Sequence, residues 1–270
     1  MKRPKRFKKL SDITIPTEED GSFKLDPSVK APLGGLNPFS PHFESVGQQF
    51  LQLAINHAKL HPSHSVLDVG CGTGRIAAAL EDFMDDAGSY DGFDINEHFI
   101  ECCKNNYSRD NFNFKWCNLQ HDEYNPDGTD STDEFTFPYE DGQFDVVLSI
   151  AVFNHLEIDW ARRYINQISR VLRRNGIFLG TFFLLNSISM PFILQKKDHP
   201  FMFEKRERRG WYEYEDRPLF NVALPEPDIR RAFIENGMMI KEPIYYGQWC
   251  ESQNAITGHD VVVAIKGYWK

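Results

Sequence analysis

The sequence predicts an α/β domain, a largely parallel sheet with helices on both faces. Three observations carry this. Short apolar runs alternate with helix-periodic stretches from about His42 to the C-terminus. One run, Val66-Leu67-Asp68-Val69, passes through Gly70-Cys71-Gly72-Thr73-Gly74 straight into the helical stretch that opens with Ile76. Phe144–Ile150 is apolar almost throughout, as a central parallel strand must be when both its faces are covered.

Residues 1–36 mix charge, Pro and Gly without periodicity and read as a basic tail with an irregular lead-in; residues 37–270 form the domain. Phe43, Val46, Phe50, Leu53 and Ala54 recur at helical spacing over His42–Leu60. After the glycine turn, Ile76, Leu80, Phe83 and Met84 make one helix face. Tyr90–Ile95 is a second strand, followed by a helix from Asn96, and Phe112–Cys117 a third strand. Residues 120–143 are an insertion rich in acids, Pro and Gly, read as a solvated loop pinned by Phe135, Phe137 and Tyr139. Phe144–Ile150 leads to a helix from Ile158 that stops at Arg173-Arg174-Asn175-Gly176, with Gly176 as its left-handed cap. Ile177–Leu185 is a fifth strand. Residues 186–224 show no regular element but many aromatic side chains, which predicts a substrate lid at the sheet's carboxyl edge. A helix over Pro225–Gly237 and strands at Met239–Tyr246 and Asp260–Lys266 complete the domain.

Composition excludes several partners. Net charge is −9, and the first ten residues hold six Lys or Arg with no acid, so the remaining chain carries −9 − 6 = −15. An acidic body disfavours nucleic acid. Five cysteines without a C-x-x-C pair fit a reduced, cytoplasmic protein, and no apolar run is long enough for a bilayer. His57, His61 and His64 flank a Pro turn with no acid or thiol nearby, so no metal site is expected.

The turn spacing separates two cofactor classes. A dinucleotide site needs G-x-G-x-x-G, but Arg75 stands where the last glycine would be. Asp68, two residues before the first glycine, would repel a pyrophosphate and suits a ligand bearing an ammonium group. Gly70 and Gly72 permit positive φ and close ligand approach. Asp94, at the end of the second strand, can accept from both hydroxyls of a ribose or cap the following helix.

Val66–Arg75, V-L-D-V-G-C-G-T-G-R, resembles motif I of the class I S-adenosylmethionine-dependent methyltransferases. The approach Phe137–Asp145 and the run Arg170–Gly176 are similar to the same family. The resemblance implies a Rossmann-like, seven-stranded, mostly parallel sheet with the last strand antiparallel, and S-adenosyl-L-methionine as cofactor. It implies cofactor contacts from Asp68, Gly70, Cys71, Gly72, Gly74, Asp94 as ribose ligand, Ile95 beside adenine, Asn118 on the adenine amino group, Leu119 and Ile150.

The expected reaction is metal-free methyl transfer to a small-molecule oxygen or nitrogen nucleophile, with oligomeric state left open. His155, a few residues beyond the fourth strand, is the candidate general base, or else a helix-capping or packing residue. An RNA methyltransferase and a non-catalytic S-adenosylmethionine-binding module are the alternatives.

Overall fold

A computed structural model describes residues 41–195, 203–206, 210–213 and 218–267. The tail and lead-in, and the side chains of Lys205, Arg206, Arg208 and Arg209, lie outside the described residues. Helix α1 (Pro41–His57) precedes β1 (Ser65–Val69), α2 (Arg75–Glu81), β2 (Ser89–Asp94), α3 (Glu97–Asn106) and β3 (Phe112–Trp116). Then come β4 (Phe144–Ser149), α4 (Ile158–Val171), β5 (Leu172–Phe182), β6 (Leu184–Leu185) and α5 (Ser189–Gln195). Strands β7 (Glu204–Arg206), β8 (Gly210–Tyr212) and β9 (Val222–Pro225), helix α6 (Glu226–Glu235), and strands β10 (Met238–Ile240) and β11 (Asp260–Lys266) follow.

Seven strands form the main sheet in the order β10-β11-β5-β4-β1-β2-β3. Strand β11 runs antiparallel to both its neighbours, and the pairings among β1 to β5 are parallel. The period-two pleat divides each central strand between two cores. Val66, Val146, Leu148 and Leu179 face the layer of α1, α2 and α3. Leu67, Val147, Phe178 and Val262 face α4 and α6. The chain leaves β1 toward β2 and β3, then returns to β4 on the other side, so β1 and β4 mark a topological switch point. Their carboxyl ends open the crevice in which such sheets bind ligands.

Three expectations are corrected. Residues 186–224 are not irregular: they hold α5 and, with β6, a four-stranded sheet in the order β6-β9-β8-β7. Of its described residues, Leu219, Val222 and Leu224 are buried in the main core. The expected stop at Arg173–Gly176 is a bulge, with Leu172 opposite Phe144 but Ile177 opposite Val146. Asn175 takes the left-handed turn (φ 63). Gly176 is required for space, since a Cβ there would lie 2.8 Å from the Arg173 carbonyl oxygen. The strand expected over Met239–Tyr246 is only Met238–Ile240 long, because Pro243 has no N–H for the ladder; Tyr245 rejoins through a bridge to Val261.

Candidate active site

A cavity of about 340 Å³ opens at the carboxyl ends of β1 and β4. Its first half is the glycine turn. Gly70 (φ 71), Gly72 (φ 55) and Gly74 (φ 87) all adopt the left-handed region, which only glycine enters without strain. At Gly70 a Cβ would also lie 2.4 Å from Val152 Cγ2. The turn is tied to β2, with the Gly70 and Cys71 amides donating to the Phe93 carbonyl at 2.9 and 3.0 Å.

Asp94 is buried and accepts from the Gly72 and Asn96 amides, both at 2.8 Å. Burial pushes its carboxyl up to about 6 against those hydrogen bonds. It does not cap α3; Asn96 does, accepting from the Phe99 amide at 3.2 Å. Asp68 accepts from the Tyr90 hydroxyl at 2.8 Å, and burial raises its carboxyl to about 7.

Of the residues the sequence singled out, Asp68, Gly70, Cys71, Gly72, Asp94, Ile95, Leu119, Ile150 and His155 line this one cavity. Gly74 and Asn118 do not. Gly74 makes room for a side chain, since a Cβ there would sit 2.3 Å from the Tyr107 ring. Asn118 is committed to the insertion: its Nδ2 donates to Thr129 Oγ1 at 3.0 Å and its Oδ1 accepts from Asn125 at 3.2 Å.

His155 lines the cavity, and both of its ring nitrogens have partners. Its Nδ1 faces the Leu219 carbonyl at 3.2 Å and so carries the proton. Its Nε2 then accepts from the Tyr124 hydroxyl and Asn154 Nδ2, both at 3.0 Å. Burial, reinforced by His121, lowers the imidazole to about 3. Engaged nitrogens and so low a basicity disfavour proton uptake by His155 near neutral pH.

Sequence reasoning missed several lining residues. Arg75 follows the last glycine, where it was read only as an absent glycine. Its Nε is buried without a hydrogen-bond partner, and its guanidinium lies 5.4 Å from the Phe43 ring centroid. His121, Tyr124 and Thr132 reach the cavity from the insertion, which is therefore only partly solvated; Phe135, Phe137 and Tyr139 anchor it in the core. Phe220 and Asn221 arrive just before β9, and His259 just before β11. No local pattern marks them, because only the tertiary fold brings them to one place.

Residues 67–180 match the family model described as a methyltransferase domain. Over those residues this chain carries a methyltransferase domain, as the resemblance of its glycine turn implies. The methyltransferase fold recurs in solved structures. A Pyrococcus horikoshii protein is 18% identical with a TM-score of 0.60, covering 90% of this chain and 100% of its own. An S-adenosylmethionine-dependent methyltransferase of Mesorhizobium loti is 16% identical with a TM-score of 0.53, covering 81% and 97%. A chain from the complex of the Haloferax volcanii Trm112 methyltransferase activator with a methyltransferase is 15% identical with a TM-score of 0.54, covering 84% and 92%. At these identities the likeness shows the fold alone. The methyltransferase of this chain uses S-adenosylmethionine. Among the described residues no helix is long and apolar enough to cross a membrane.

Proposed function

We propose that this methyltransferase acts on a small-molecule oxygen or nitrogen nucleophile bound in the cavity of about 340 Å³. The observation that carries the reading is the cavity's composition. Motif I residues and the end of β2 supply one part of its lining, and aromatic and amide side chains from later in the chain supply another.

The chain's residues fit the cofactor. The left-handed glycine turn leaves backbone where a Cβ would intrude. Asp94 keeps lone pairs for ribose hydroxyls. Asp68 and Arg75 suit the ammonium and carboxylate of an amino acid moiety, which would supply a partner for the unpaired Arg75 Nε. S-adenosylmethionine, when bound, supplies an electrophilic methyl group on a sulfonium. The protein's part is to hold the acceptor in line and to keep bulk water out, which lowers the barrier through orientation. Ile95, Leu119 and Ile150 offer apolar contact suited to the adenine.

Calorimetry with S-adenosylhomocysteine and NAD tests the cofactor half: tight binding of the first and poor binding of the second are expected. Preferential NAD binding would sink the assignment. Incubation with a methyl-labelled donor and fractionated cell extract, read by product mass spectrometry, then tests the acceptor class. Label confined to RNA would instead favour the nucleic-acid alternative, and binding without any turnover the non-catalytic one.

A further inference from the structure

Resting on that reading, we propose that the acceptor half of the cavity is a site for an uncharged alcohol or phenol, held between Asn154 and His259. Three observations carry this.

The first is the distribution of charge. The formally charged lining residues are Asp68, Arg75 and Asp94, all from β1, the start of α2 and the end of β2. Among the described residues, everything the cavity receives from beyond β3 is formally neutral or a histidine. Burial holds these histidines in the neutral form, with His155 at about 3 and His259 at about 4; His121 is also lowered by burial. An acceptor bearing a carboxylate, a phosphate or an alkylammonium would be desolvated there with no counter-charge, which is costly.

The second is an orphaned acceptor. Asn154 donates through Nδ2 to His155 and, at 3.4 Å, to Asn221 Oδ1. Its Oδ1 is buried with no hydrogen-bond partner. A buried carbonyl oxygen left in that state calls for an O–H or N–H from whatever fills the cavity.

The third is the state of His259. Unlike His155, its ring makes no side-chain hydrogen bond to the described residues. It is fixed by stacking on Phe183, ring centroids 4.6 Å apart at 28°. The adjoining Asp260 stiffens its backbone, accepting from the Leu184 amide, the Gly247 amide and Trp249 Nε1, each at 2.7 Å. His259 also lies near enough to His155 to disfavour its protonation, so both rings border one region of the cavity.

A neutral imidazole offers one donor and one acceptor, and an amide oxygen offers an acceptor. A hydroxyl answers both: it donates to Asn154 Oδ1 and accepts from the His259 N–H. A carboxylate can only accept and leaves Asn154 Oδ1 unanswered, while an ammonium is disfavoured by the cost of desolvating its charge. Trp160, Tyr164 and Phe220 provide aromatic walls for a ring.

The test uses full-length protein saturated with S-adenosylhomocysteine. Phenol, cyclohexanol, benzoate and benzylamine are titrated at pH 7 while the histidine ring resonances are followed by NMR. Phenol or cyclohexanol is expected to bind saturably and shift the His259 signals, with the charged probes at least about a hundredfold weaker. His259→Phe keeps a ring against Phe183 and removes both nitrogens. It should weaken the neutral probe about tenfold and leave S-adenosylhomocysteine affinity within about twofold. Equal binding of charged and neutral probes, no saturable binding of either neutral probe, or an unchanged affinity in the variant would overturn the proposal. The probe comparison is read on the wild-type protein and does not depend on the variant folding. Failure of S-adenosylhomocysteine itself to bind would instead strike the cofactor assignment beneath it, and this proposal with it.

Discussion

The two halves of the cavity are built by opposite means. The cofactor half comes from one contiguous stretch and the strand beside it: Asp68 to Arg75 in a turn, and Asp94 at the next strand's end. Its side chains carry charge, and its shape is set by backbone angles that only glycine adopts freely. The proposed acceptor half gathers Tyr124, Asn154, His155, Phe220, Asn221 and His259 from four separate parts of the chain. Its groups are formally neutral; hydrogen bonds link Tyr124, Asn154, His155 and Asn221, while His259 is held by stacking. A site of the first kind is local and keeps its shape while its surroundings change. A site of the second kind depends on several loops at once, and single replacements can reshape it.

Substitutions should separate the halves. The largest effect is expected for Asp94→Ala, which removes a charged acceptor. The dissociation constant for S-adenosylhomocysteine should rise about ten- to a hundredfold, measured by calorimetry. An unchanged constant would remove Asp94 from the cofactor half. Arg75→Gln should weaken S-adenosylhomocysteine about tenfold. Methylthioadenosine, which lacks the amino acid moiety, should bind the variant and the wild type alike; equal losses for both ligands would make Arg75 a packing residue.

His155→Gln should leave cofactor affinity alone and raise the acceptor KM several-fold. The pH–rate profile should keep any limb it has near pH 6.5, because an imidazole lowered to about 3 does not titrate there. Loss of such a limb in the variant would restore His155 as a base.

The smallest effect concerns pH. His259 has a folded pKa of about 4, below the unfolded value of 6.5. Between those values the unfolded chain binds more protons, so this residue makes stability fall as pH is lowered from about 6.5 to 4. The Tm of His259→Phe should therefore decline less over that window than the wild type's. An identical decline would place the ring in contact with solvent.

The same contrast governs what could be read from the sequence. Strands β1, β4 and β11 were legible because each is a short, mainly apolar run bounded by a turn or charge. The glycine turn was legible because its spacing is local. Residues 186–224 hid their strands because β7 and β8 are three residues long and pair mainly with each other and β9. Asn118 was legible in the order of elements, but the claim of Asn125 and Thr129 on its side chain was not. His155 was legible in place but its basicity was not: its partners include residues 31 and 64 positions away. Arg75 and His259 gave no signal, since an unanswered donor or ring is visible only once its surroundings are known.

The three donors gathered by Asp260 have a consequence for the order in which the molecule is made. Strand β11 fills a position between β5 and β10, so the main sheet is divided until the final stretch of chain is available. As the chain leaves the ribosome, the glycine turn, β2 and β4 can assemble well before residue 260 exists. Until that carboxylate arrives, the Leu184 and Gly247 amides and the Trp249 indole have no common anchor, and His259 has no fixed place. A nascent chain halted before Asp260 is therefore expected to acquire its nucleoside cradle early and its acceptor chamber last.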